Sequence, residues 1–544
     1  MPVELCAGKG HNMDSYLAIV IVLLVLAVAD LVVGVSNDAV NFLNSAIGSK
    51  VAPRKIILSI AALGILAGAL SSSGMMEVAR KGIFDPSFFS FADVMVIFLA
   101  VMLTDIILLD AYNSLGLPTS TTVSIIFELL GAAMVVGWLR MQMGGTTASS
   151  IFDMINTSKV SEIISGIFLS VLIAFVVGVA IMWLVRLMFT FHFKDKLLKR
   201  GSIFAGLAIT FIIYFMLVKG LKNTDLMAGA MGQWIQQNTW PLMAGLMAGI
   251  TFLSFALQRW FRVDPLKMVV LAGTFSLAMA FAGNDLVNFI GVPLAGLESF
   301  LLWSTSGIGA EGFMMDGLNT AVRTPTYLLY ISGGIMVLTL WFSGKARKVT
   351  DTEVSLSRQG SQQPEKFKSH LLARLIVRGA MRSALVFNSV LSHRNKVVLK
   401  KRFRSHGLMK EEDAPAFDMV RASMNLMLAS VLIAAATKLK LPLSTTFVSF
   451  MVAMGTSLAD RAWGAGTAEY RVAGVLNVIG GWFLTALVAF IAAGLMALII
   501  HFGGNWMGVV LFVVVGAIMV RSHLPRRGRI LDEGMRSAGS TAQA

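Results

Sequence analysis

A single cysteine, Cys6, excludes an intramolecular disulfide and any thiol pair for a metal or redox centre. Charge is scarce: Asp, Glu, Lys and Arg make up 14% of the chain, against 56% apolar residues and a mean hydropathy of +0.76. A water-soluble core cannot absorb so much apolar surface, so lipid must be the solvent. No nucleophile–base pair or metal constellation is visible, and the histidines lie near loops or termini, so nothing supports an enzyme. Signal-peptide character is missing too. The first apolar run lacks a basic n-region and exceeds an h-region in length, which makes it a retained helix.

What the chain does have is apolar runs long enough to cross roughly 30 Å of hydrocarbon. They fall at about 17–35, 56–73, 93–112, 118–138, 162–188, 203–221, 241–257, 267–283, 326–343, 418–437, 442–458, 472–500 and 506–520. The expected fold is therefore an all-α polytopic membrane protein with about 12–13 transmembrane segments. The net charge of +15 sits in a few loops, chiefly Gly344 to Lys410, Arg186 to Arg200, and a tail with Arg521, Arg526, Arg527 and Arg529. That clustering follows the positive-inside rule and argues against nucleic acid as a partner. Placing the Gly344 loop in the cytoplasm puts the loops at Lys50 to Lys55, Lys194 to Arg200 and Arg259 to Lys267 inside as well. The N-terminus is then outside and the C-terminus cytoplasmic, in what we read as the cell (inner) membrane. Arg80 and Lys81 fall outside against this trend.

Self-comparison divides the chain in two. Residues 37–42 read Asn-Asp-Ala-Val-Asn-Phe and residues 284–289 read Asn-Asp-Leu-Val-Asn-Phe, with Asp38 and Asp285 standing 247 residues apart. Leu117-Pro-Thr-Ser-Thr-Thr122 matches Leu441-Pro-Leu-Ser-Thr-Thr446 at a spacing of 324. The second half thus carries 77 extra residues between its motifs, most of them in the polar stretch from Gly344 to Pro415. Seven expected crossings separate the two Asn-Asp motifs. An odd number inverts the second half, giving two inverted-topology repeats with discontinuous helices around a site near the midplane. The expected divisions are an outer tail (1–16), a first repeat (17–200), connecting helices (201–266), the second repeat (267–343 and 418–502) interrupted by a basic insert (344–417), a last helix (503–521) and a cytoplasmic tail (522–544).

Asn-Asp pairs at membrane depth persist where they bind something. Gly34 and Gly283 suggest that each helix breaks just before its pair, freeing backbone groups and presenting a positive N-terminal end. Pro118 and Pro442 suit a first helical turn, from which Ser120, Thr121, Thr122, Ser444, Thr445 and Thr446 project. Hydroxyls, Asn amides and helix-end N–H groups can donate to a tetrahedral oxyanion, whereas ionised Asp38 and Asp285 cannot. Carboxylates beside an anion make sense with a cation between them. Helix capping and interhelical bonding are the plainer role for such Ser-Thr runs.

At these residues the chain resembles the inorganic phosphate transporter (PiT) family, which has a Gly-Ala-Asn-Asp-Val-Ala-Asn motif in each of two inverted repeats and a later Pro-Val-Ser-Thr-Thr motif in each. The resemblance covers about Leu17 to Ile500. It implies a symporter that takes up phosphate with Na⁺ or H⁺ by alternating access. No other cofactor is implied. Another oxyanion such as sulfate, or a non-coupled anion channel, is the alternative. Carried over, phosphate binding falls to Asn37, Asp38, Ser120, Thr121, Thr122, Asn284, Asp285, Ser444, Thr445 and Thr446, and Na⁺ to Asp38, Asn41, Asp285 and Asn288. This sequence departs from the family at Val35-Ser36, at Ala39-Val40, and at Val123 and Phe447, where a histidine often follows Ser-Thr-Thr.

Asp30, Asp105, Asp110 and Glu128 also lie in apolar runs of the first half, opposite apolar Leu277, Ala429, Ala434 and Val452 in the second. Asp105 and Glu128 are candidates for a proton or cation relay; Asp30 and Asp110 read as helix-end residues reaching the interface. In the insert, Thr350 to Pro364 has a disorder-like composition. Lys368 to Phe403 mixes Leu371, Leu375, Leu385 and Leu391 with Arg374, Arg378, Arg382 and Arg394, as in a basic helix lying on an anionic leaflet. The lipid bilayer is thus one partner, and a homodimer is compatible with the sequence.

Overall fold

The computed structural model describes residues 3–70, 72, 82–145, 148–190, 193–216, 229–319, 325–357, 370–390, 392–394, 396–397, 415–438, 443–460 and 468–523. Arg80, Lys81, Pro442, the insert segments 358–369 and 398–414 and the tail from residue 524 lie outside them. Helices are the only regular elements among the described residues, since a single span in lipid must satisfy its backbone internally. Apart from short turns and the eight-residue helix Ala230–Gln237, they begin with α1 (Val3–Asp38), α2 (Val40–Gly48), α3 (Arg54–Ala69), α4 (Phe91–Leu115), α5 (Thr121–Gln142), α6 (Thr157–Phe189), α7 (Phe193–Ile213) and α8 (Thr239–Phe261). Beyond these run α9 (Pro265–Ser306), α10 (Thr326–Phe342), α11 (Gly344–Ser357), α12 (Leu371–Val390), α13 (Met419–Lys438), α14 (Thr445–Ala459), α15 (Ala468–Gly503) and α16 (Asn505–His523).

Among the described residues, eight helices are long and apolar enough to cross a membrane, with α1 and α2 counted as one. A ninth span forms if α10 and α11 are joined across their 70° bend at Ser343. Shorter apolar helices at Arg200–Met216, Thr445–Ala459 and Trp506–Arg521 complete the described bundle. The packing is reciprocal between the halves. α4 lies on α1 as α13 lies on α9, while α5 runs along α15 and α14 along α6. Gly131 of α5 sits against the backbone of Phe490, and Gly455 of α14 against that of Phe175; a Cβ at either would come within 2.1 or 2.4 Å of a carbonyl oxygen. Small residues at such seams allow helices in lipid to approach backbone to backbone.

Three expectations are corrected here. The helices do not break before the Asn-Asp pairs. α9 runs unbroken through Asn284 and Asp285, and α1 passes into α2 with the Ala39 N–H still bonded to the Val35 carbonyl at 2.9 Å. Gly34 serves contact instead: a Cβ there would lie 2.1 Å from the Phe289 ring, so glycine lets α1 cross α9 at the motif. Second, Arg186 is no loop residue. It is fully buried in α6, where its guanidinium bonds both oxygens of Asp460 (2.6 and 2.7 Å) and Asp418 Oδ2 (2.6 Å). Third, the start of the insert is ordered helix through Ser357. α11 buries Ala346, Val349, Thr350 and Glu353 against the bundle, and Glu353 pairs with Asn44 of α2. Four buried positions at helical spacing outweigh the polar composition that suggested disorder.

The Gly34 crossing yields a stability prediction. Gly34→Val overpacks the seam and costs about 1–3 kcal/mol or more. Because the clash is with one ring, Phe289→Ala in the same protein recovers part of that loss, a coupling of about 0.5–3 kcal/mol in a double-mutant cycle. Thermal unfolding in detergent measures both; strict additivity would remove the proposed contact.

Candidate functional site

The two threonine motifs meet the two Asn-Asp motifs in one buried cluster. Ser120 and Ser444 are the N-caps of α5 and α14, their Oγ atoms accepting from the N–H groups of Val123 (3.2 Å) and Phe447 (3.1 Å). Capping with Ser is favoured because it satisfies an otherwise orphaned donor. It also places the next two residues of each helix, Thr121 and Thr122 or Thr445 and Thr446, at a positive helix end facing the aspartates.

The bonding crosses between the halves. Asp38 accepts from Thr121 of its own half (Oδ2, 2.9 Å) and from Thr446 of the other (Oδ1, 3.0 Å). Asp285 accepts from Thr445 of its own half and from Thr122 of the other (3.1 Å). The asparagines complete the exchange: Asn288 donates to Thr121 (3.3 Å) and Thr122 (2.9 Å), and Asn41 donates to Thr445 (3.4 Å) and Thr446 (3.0 Å). Each aspartate thus bridges one threonine from each half, and no half contains a complete set.

The remaining predicted residues do other work in this arrangement. Asn37 clamps the turn before α5, donating to Asn113 Oδ1 (2.8 Å) and the Leu117 carbonyl (3.2 Å) while accepting from the Thr119 N–H (2.9 Å). Asn284 donates to Asp285 (2.9 Å) and to the Leu443 carbonyl (3.0 Å). All twelve predicted residues are buried and converge on this cluster. Three supporting residues escaped the sequence reading. Asn113 donates to the Val33 carbonyl (2.8 Å), Ser449 donates to Asn41 Oδ1 (3.2 Å), and Thr119 lies 3.1 Å from the Thr485 hydroxyl. Ser449, three residues beyond the second threonine pair, was the findable one.

Chemically, the cluster is rich in oxygen donors and poor in positive charge. Among the described residues no Lys, Arg or His pairs with either aspartate. Two carboxylates with hydroxyl and amide oxygens around them suit a hard monovalent cation, and four hydroxyls with two helix ends suit an oxyanion.

A polytopic helical bundle with a buried polar cluster shared between two sets of crossing helices defines a membrane transport protein rather than an enzyme. The model of the phosphate transporter family matches residues 34–352, and the chain belongs to that family. Among curated proteins, it is similar to a candidate phosphate permease of Pyrococcus abyssi, 28% identical over 331 residues that cover 58% of this chain and 76% of that protein. A counterpart in Pyrococcus furiosus is 26% identical over 54% of this chain and 69% of its own length. A solved structure described as the sodium-dependent phosphate transporter superposes with a TM-score of 0.63 at 16% identity, covering 89% of this chain and 99% of that one, which supports the fold.

Proposed function

We propose that the protein carries inorganic phosphate across the membrane with Na⁺, as a symporter whose two inverted repeats alternate access to the shared cluster. The supporting observation is that each of the four threonine hydroxyls, with one hydrogen to give, already donates it to an aspartate. They cannot donate to phosphate until the carboxylates find another partner. A Na⁺ ion on Asp38 or Asp285, supported by Asn41 or Asn288, replaces those hydroxyls and releases them toward the anion while offsetting its charge. Cation binding therefore comes first and phosphate second.

The inverted arrangement rests on the exchanged hydrogen bonds and the reciprocal packing. The N-terminus outside and C-terminus inside, in the cell membrane, follow from the basic loops. α12 fits the cytoplasmic leaflet: Ala373 and Val377 are buried against Val472 and Ala473, while Leu371, Leu375 and Ile376 remain exposed beside Arg374, Arg378 and Arg382.

Reconstituted vesicles test the whole reading. Radiolabelled phosphate accumulates under an inward Na⁺ gradient, arsenate competes and sulfate does not. In detergent, phosphate raises the unfolding temperature only when Na⁺ is present, at saturation (about 100 times Kd) by the equivalent of ~2.7 kcal/mol. Uptake indifferent to both Na⁺ and H⁺ gradients would overturn symport, and a sulfate preference would overturn the substrate.

A further inference from the structure

Asp30, Asp105 and Glu128 stand on three different helices, α1, α4 and α5, and all three are fully buried. Asp30 therefore does not reach the interface as its position in the sequence suggested. Ser124 lies between two of the carboxyls, its Oγ 2.7 Å from Asp105 Oδ1 and 2.8 Å from Glu128 Oε1. A hydroxyl carries one hydrogen, and an ionised carboxylate carries none. Ser124 can donate to only one of them. At the other contact the carboxyl must be the donor, so this group of atoms holds at least one proton.

The same count applies to Asp30. Its carboxyl is fully buried, and neither of its oxygens meets any N–H or O–H donor. Asp105 Oδ2 and Glu128 Oε2 likewise meet none. An ionised carboxylate buried without any donor is costly, so Asp30 holds a second proton. The ionisable groups facing the cluster are its own members and Asp38, about two turns along the helix from Asp30, with Asp285 of α9 behind Asp38. α15 and α16, which also pack on α4, carry ionisable side chains only near their ends, at Glu469, Tyr470, Arg471, His501, Arg521 and His523.

We propose that Asp30, Asp105 and Glu128 form a proton-holding site, distinct from the aspartate–threonine cluster, that binds and releases up to two protons during the transport cycle. The proposal rests on the reading of the chain as a cation-coupled phosphate transporter. Its link to the substrate site is the first part of α5. Thr121 and Thr122 hold the two central aspartates, and Ser124 and Glu128 hold Asp105, so a proton leaving the site changes what that segment must bond. The second half has Leu277, Ala429 and Val452 at the matching positions, so the site is single and breaks the symmetry between the halves.

Infrared spectroscopy of the purified protein at neutral pH tests occupancy without any transport. A carboxylic-acid carbonyl band is present, loses intensity in Asp30→Asn and in Glu128→Gln, and is unchanged when Na⁺ replaces K⁺. Absence of the band, or its disappearance on adding Na⁺, overturns the proton assignment. Vesicles with an internal pH dye then give protons moved per phosphate, compared at one pH so that the ionisation of phosphate itself cancels. The ratio falls at least twofold in Asp30→Asn, Asp105→Asn and Glu128→Gln relative to wild type. An unchanged ratio in variants that still move phosphate overturns the coupling role. Wild-type protein that moves no phosphate overturns the transport reading instead, while the infrared result stands on its own.

Discussion

Asp285→Asn and Asp38→Asn variants insert and fold, yet accumulate no phosphate above equilibrium. Asn keeps one acceptor for a threonine and adds an amide that can donate to the oxygen of the other, so the crossed network of Thr121, Thr122, Thr445 and Thr446 loses little in the empty protein. It loses the charge that a cation needs. A charge-assisted contact is worth about 1.5–3 kcal/mol, which corresponds to roughly ten- to a hundredfold in cation affinity. Gradient-driven uptake in vesicles, alongside thermal unfolding to confirm folding, is the measurement. Full accumulation by both variants would remove the cation role of the pair.

The largest effect on stability is expected at Arg186. Asp460 stands at the C-terminal end of α14, where the helix dipole disfavours a negative charge, and Asp418 sits just before α13. The fully buried Arg186 guanidinium holds Asp460, also fully buried, and Asp418, which is partly exposed. Arg186→Met takes the hydrogen-bonded guanidinium from the buried Asp460 and from the largely covered Asp418, at a cost of about 3–5 kcal/mol. Adding Asp460→Leu returns part of it, since an apolar replacement of the whole pair is tolerated far better than its breakage. Denaturation that shifts by less than about 1 kcal/mol in the single variant would show that the cluster is solvated or otherwise compensated.

Repetition made the central residues readable. Two short polar motifs recurring in order among apolar helices identified every residue of the crossed cluster, and the 324-residue spacing extends further, since Gly455 stands that far after Gly131 and both seat their helices on a neighbour's backbone. What could not be read was set by partners distant in the chain. Gly34 as a breaker and Gly34 as a seat for Phe289 look the same in sequence; only the crossing of α1 with α9 separates them. Asp30 near the middle of a long helix and Asp30 near a lipid interface differ by where that helix starts. Arg186 looked like the first residue of a basic loop because Asp418 and Asp460 lie more than 200 residues away. Glu353 was lost among charged neighbours, although its helix buries one face.

That last helix ties the basic insert to the aspartate–threonine cluster. The bend at Ser343 bonds Ser36 (2.7 Å), one residue before the Asn-Asp pair, and Glu353 bonds Asn44 on the continuation of the same helix. Lys345 holds Asp110 (2.6 Å) on the helix that ends beside Asn113. Any molecule that binds the insert more tightly in one position of α11 than in another is thereby linked to phosphate binding, and the linkage is reciprocal: whatever free energy the insert's ligand adds to phosphate affinity, phosphate returns to that ligand.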